Sequence, residues 1–147
     1  MKRLAFALVL SSLNFAPCLA DDKELPKEFV QLQGTWKAVQ MVVVGKPASK
    51  EQFVTDGMIF EFKGKEMTPS RGGKKSPMNV KVTLNLNAVP SQMDLDMPEE
   101  GKTLAIYKIE KDTLTVCMMP DGKTRPAKFE STKESGTVLF VFEREKK

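Results

Sequence analysis

The sequence predicts an all-β fold: an antiparallel up-and-down barrel of about eight strands, with one short helix after the first strand. Three observations carry that prediction. Short runs that alternate apolar and polar residues recur from about residue 33 to residue 142. Turn-forming residues separate them at close spacing, as in a sandwich or barrel rather than a βαβ fold. Only one stretch reads as a helix. Consecutive hairpins favour a meander, which removes exposed edges by closing on itself.

The elements follow in chain order. Lys2 and Arg3 precede an apolar stretch from Leu4 to Leu10 that weakens through Ser11, Ser12 and Asn14. Cys18 and Ala20 supply the small residues that signal peptidase prefers, with cleavage expected after Ala20, before Asp21. The run is shorter and more broken than the about 20 apolar residues that a membrane span needs. Lipidation at Cys18 is the weaker reading, because Pro17 stands where such sites want a small residue. The expected organisation is therefore a signal peptide over 1–20, a lead-in over 21–30 and one barrel domain over 31–147.

The first strand runs from about Gln33 to Val44 and ends at Gly45-Lys46-Pro47. The helix is expected over Pro47–Val54, with Pro47 in its first turn and Gly57 as its stop. Met58–Lys63 alternates and stops at Gly64. Glu66–Thr68 is a brief strand that leads into a loop over Pro69–Pro77. Asn79–Asn87 and Gln92–Met97 alternate cleanly, and Thr103–Glu110 pairs with Thr113–Met119 across Lys111-Asp112. After a turn at Pro120–Lys123, a weak strand is expected around Phe129 over Ala127–Ser131, and Val138–Phe142 closes the domain.

Composition narrows the function classes. The chain has 147 residues, two cysteines, no histidine and a net charge of +4. Without histidine there is no Ser-His-Asp triad, no Cys-His pair and no His-bearing zinc site. Loss of Lys2 and Arg3 with the signal peptide lowers the net charge to +2, which is not a nucleic-acid-binding balance.

Leu32-Gln33-Gly34-Thr35-Trp36 opens the first strand, and Val141-Phe142-Glu143-Arg144 ends the last. This resembles the lipocalin arrangement. The resemblance implies that Trp36 plugs one barrel end and that Arg144 stacks across it while capping carbonyls. Further pieces follow in order: Gly45-Lys46-Pro47, Asp94-Leu95, Gly101–Tyr107, Asp112–Cys117 and Arg125–Phe129. Together they resemble an uncharacterised lipocalin-like domain family common in exported planctomycete proteins, over nearly all of residues 30–144. That resemblance implies a barrel and no activity, ligand or catalytic residue. One departure is Glu110-Lys111-Asp112, where the family often has a glycine. Its turn must then hold non-glycine residues at positive φ or be of another type.

No residue set carries catalytic or metal chemistry convincingly, so no cofactor and no enzymatic activity is expected. Asp94 and Asp96, near Glu99-Glu100, face away from Met93, Leu95 and Met97 and read as solvated. Arg71-Gly72-Gly73-Lys74-Lys75 reads as a solvated basic loop, with no aromatics for nucleic acid. Alternation puts Cys117 on the outer face, as a structural or incidental thiol. The inward set is Phe60, Phe62, Val82, Leu84, Leu95, Ile106, Leu114, Val116, Phe140 and Phe142. All of these except Phe142 are also the candidate ligand-lining residues. An eight-stranded barrel either fills its interior or holds one small ligand. Several of the nine methionines lie on these strands and would suit an adaptable lining.

The leading expectation is an exported, non-enzymatic barrel that binds a small apolar or amphipathic molecule, with no transmembrane span in the mature chain. The alternative is a filled barrel that acts as an envelope interaction or structural module. A cavity of some hundreds of Å³ distinguishes the first from the second.

Overall fold

The structure is a computed structural model and describes residues 24–49, 51–52 and 57–146. The expected signal peptide over 1–20 lies outside the described residues.

Among the described residues, helix α1 (Lys27–Leu32) is followed by ten strands. These are β1 (Gly34–Val43), β2 (Lys46–Pro47), β3 (Met58–Lys63), β4 (Glu66–Arg71) and β5 (Lys74–Lys75). Then come β6 (Val80–Asn85), β7 (Gln92–Met97), β8 (Gly101–Glu110), β9 (Thr113–Met118) and β10 (Val138–Arg144). Eight of them close an antiparallel barrel in the order β1-β3-β4-β6-β7-β8-β9-β10, and β10 pairs with β1 to seal it. Apart from that seal, each barrel strand pairs with the next, so the fold is an up-and-down meander. The two-residue strands β2 and β5 fold back on β1 and β4 as hairpin ends.

Alternation sets the core. Phe60 and Phe62 of β3, Val80 and Val82 of β6, and Met93 and Leu95 of β7 point into one cluster. Leu114 and Val116 of β9 join them with Phe140 and Phe142 of β10. Phe142 packs on Phe60 with ring centres 4.6 Å apart, and Phe140 stacks on Phe142 at 5.9 Å. These rings fill the middle of the barrel. A β-bulge between Ala38 and Gln40 inserts Val39 and reverses the parity of β1. Ala38 and Met41 therefore both face inward, and Val39 and Gln40 both face water.

Four local expectations change. First, an unexpected helix stands before the first strand: residues 27–32 form α1, which buries Phe29 and Leu32 against the core. Its signal was Phe29 and Leu32 three apart behind Pro26, in a run too short to read as periodic. Second, Pro47 lies in β2, paired with Val42, and not in a helical first turn. Residues 51–52 are helical. Ser49 caps them reciprocally with Gln52: the Gln52 N–H donates to Ser49 Oγ and the Ser49 N–H to Gln52 Oε1. Lys50, Phe53 and Val54 of the expected helix lie outside the described residues.

Third, Pro69–Pro77 is not a plain loop. Strand β4 runs on to Arg71 and turns through Gly72 and Gly73 into β5. Their φ values of 59° and 76° are those of the tight hairpin turn that only glycine enters freely. Fourth, Ala127–Ser131 forms no strand. The long β9–β10 connection instead lies across the outer surface of β8 and β9. The glycine-free turn at Lys111 does adopt positive φ, at 56°.

Candidate functional site

The barrel has two unlike ends. At the closed end Trp36 is fully buried and donates its indole N–H to Leu32 O at 2.8 Å, which ties the plug to the last turn of α1. Arg144 pairs with Trp36 across the β1–β10 seam, and its guanidinium carbon sits 4.2 Å from the ring centre. The same guanidinium donates to Gln31 O and Gln33 O, each at 2.6 Å. It thereby satisfies carbonyls at the helix end that have no intrahelical partner. Gln33 extends the clamp: its amide donates to Gly64 O at 2.9 Å and accepts from the Gly64 N–H at 2.8 Å.

The open end lies at the other ends of β1, β3, β4 and β10. A recess of about 90 Å³ there is lined by Met41, Met58 and Phe140, with Ala38 behind them and Arg71 and Gln52 at its edge. Ligand pockets run to roughly 300–1,000 Å³. The interior below the recess is occupied by Phe60, Phe62, Phe142, Met67, Met93 and Tyr107.

Among the predicted lining residues, Phe60, Phe62, Val82, Leu95, Leu114, Val116 and Phe140 lie in the buried core, and Leu84 packs against it half-buried. Only Phe140 borders the recess. Ile106 is a correction. It is buried, yet Ala105 and Tyr107 on either side of it belong to the interior cluster and Ile106 does not. It pairs with Cys117 on the opposite, outer face. Strand β8 carries apolar residues at both parities, from Leu104 to Tyr107, because both of its faces are covered.

The cover is the β9–β10 connection. Arg125 latches it to the barrel, reaching Asp94 Oδ1 at 2.6 Å and Ala105 O at 2.7 Å. Asp94 is therefore not a free surface carboxylate, whereas Asp96 stays exposed. Leu104 donates its N–H to Gly122 O, and Val44 donates its N–H to Thr137 O. Phe129 lies under the Lys108 ammonium, 5.5 Å from the ring centre. Beneath this strap Cys117 is completely buried, and its thiol donates to Glu130 O at 3.5 Å. Burial raises the thiol pKa, against the lowering effect of hydrogen bonding with the Thr137 side chain and the Glu130 backbone. Alternation located Cys117 on the outer face; it could not show that this face is covered.

The other charged groups stay on the surface. Lys75 on the basic hairpin meets Glu61 at 2.7 Å and holds that carboxylate below its usual range. Among the described residues no group of three or more Cys, Asp or Glu side chains is placed to hold a metal ion. No described helix is long and apolar enough to cross a membrane. At the closed end, among the described residues, three large apolar side chains face water: Val30 of α1, with Leu86 and Val89 of the β6–β7 loop. No protein-family model, curated protein or solved structure matches this chain.

Proposed function

We propose that this chain is an exported, non-enzymatic barrel module of the lipocalin-like kind that works through its outer surface, docking another component of the cell envelope. The filled interior carries this reading. Aromatic and methionine side chains occupy the middle of the barrel, and the recess at the open end holds about 90 Å³. That is too little for the molecules that ligand-carrying barrels enclose. What such a barrel offers a partner is its exterior. Val89, 97% exposed, and Leu86, 48% exposed, are apolar residues left in water at one end. Export rests on the Lys2-Arg3 start, the apolar run and the Cys18/Ala20 cleavage pattern.

The recess itself favours a narrower second reading. Met41, Met58 and Phe140 would admit the end of an acyl chain or a similarly small apolar group.

Native mass spectrometry of the protein purified from its own envelope tests both. The expected result is a discrete complex with a second macromolecule. A free monomer carrying a small molecule that Ala48→Trp displaces from the open end would overturn the first reading in favour of the second.

A further inference from the structure

The geometry points to a binding site outside the barrel interior. We propose that the groove at the closed end, between α1, the 86–91 loop and β8, binds a small neutral molecule that has an apolar body and one hydrogen-bond acceptor.

The groove has a volume of about 320 Å³, within the range of small-molecule sites. Leu86, Pro90, Ile109 and Phe129 form apolar walls, and Gln31 closes the side toward α1. Tyr107 supplies the polar contact. It is 4% exposed, and no described residue hydrogen-bonds its hydroxyl. No fully buried side-chain oxygen or nitrogen lacks a partner among the described residues. The Tyr107 oxygen therefore lies in the small part of the residue that reaches solvent, and Tyr107 lines this groove. A phenol in that position is a donor waiting for an acceptor. Burial, together with the nearby Glu28 carboxylate, raises its pKa and keeps the proton in place.

The surrounding charges select the ligand class. The Glu28 charge acts on the phenol, so an anion at the Tyr107 hydroxyl would meet a like charge. Lys108, the cation at the groove, is engaged by Glu110 at 3.1 Å and by the Phe129 ring. A carbonyl on an aromatic or branched aliphatic body suits both the donor and the walls. This site is separate from the open-end recess and does not depend on the macromolecular docking proposed above.

N-Methylbenzamide is a suitable probe: a flat ring with one amide carbonyl and no charge. Two-dimensional amide NMR of the purified protein, titrated with it, should show saturable shifts centred on Ser91, Tyr107, Lys108 and Ile109. The chain has a single tyrosine, so the phenol carbon signal of Tyr107 can be followed directly. Tyr107→Phe keeps the ring and removes the donor, and should weaken binding about threefold to tenfold. Leu86→Asp, at an exposed position, should abolish it with the fold intact. The proposal is overturned if no saturable shifts appear, if they centre on Met41, Met58 and Phe140, if Tyr107→Phe binds as tightly as the parent, or if benzoate binds more tightly than the amide.

Discussion

Arg144 sits over Trp36, its guanidinium carbon 4.2 Å from the ring centre, and spans from the last strand to the end of the helix that precedes the first. One side chain thus joins the barrel seam, the plug and α1. Arg144→Ala removes two charge-assisted bonds to carbonyls and the cation–π contact. It should lower stability by about 2–4 kcal/mol in urea unfolding. Arg144→Lys should recover only a minor part, because an ammonium cannot reproduce the planar fork that reaches Gln31 O and Gln33 O together. Equal stability of the Lys variant and the parent would mean that the fork geometry is unimportant.

Arg125 holds the β9–β10 connection over Cys117. With Cys18 replaced by serine, Cys117 is the one remaining thiol. It should react slowly with an aromatic disulfide reagent under native conditions, because it is completely buried. Arg125→Ala removes the bonds to Asp94 and Ala105 O, and should accelerate labelling about tenfold to a hundredfold through local opening. An unchanged rate would show that other contacts hold the strap.

The same thiol gives a pH signature. Burial raises the pKa values of Cys117 and Tyr107, so each holds its proton to higher pH in the fold than in the unfolded chain. An unfolded cysteine ionises near about 8.5 and an unfolded tyrosine near about 10. Above each of those values the unfolded chain has lost a proton that the folded chain keeps. Stability is therefore complete below about pH 8.5 and falls as pH rises from there. Urea midpoints between pH 7 and pH 11 should show this decline. Cys117→Ser should delay its onset to the tyrosine range, near about pH 10; an unchanged onset would remove Cys117 as the cause.

Val44 occupies the left-handed region at φ 49°, in the β1–β2 turn with Gly45 at 78°. A β-branched residue is strained there, and Asn-Gly is the preferred pair for this turn. The turn is held in place by the strap, where Val44 N–H donates to Thr137 O and Gly45 N–H to Ser131 Oγ. Val44→Asn should raise stability by about 1 kcal/mol. A loss of stability would mean that burial of the valine side chain outweighs the backbone strain.

Much of the barrel was readable because strand period and turn chemistry are local. Val80 to Leu84 and Met93 to Met97 alternate so regularly that their inner faces follow from spacing alone. Three features were not readable. Helix α1 is six residues long and is stabilised by its contacts with Trp36, Gln33 and Arg144 rather than by its own sequence. The bulge at Ala38/Gln40 changes parity within a strand whose valines give no sign of it. Ile106 and Tyr107 are adjacent apolar residues on a strand covered on both faces, where alternation cannot say which points inward.

The sequence by itself determined the all-β class, the meander and most of the inward set, because alternation and turns act over a few residues. It also excluded histidine chemistry, since a residue type that is absent needs no structure to rule it out. Only the tertiary structure decided that the interior is filled, that Cys117 is sealed under a strap latched from Arg125 to Asp94, and that Tyr107 borders a groove. Each of those depends on which distant segments meet and how closely side chains fill the space between them. Residues 31 apart in the chain, such as Asp94 and Arg125, carry no local signal that they will touch.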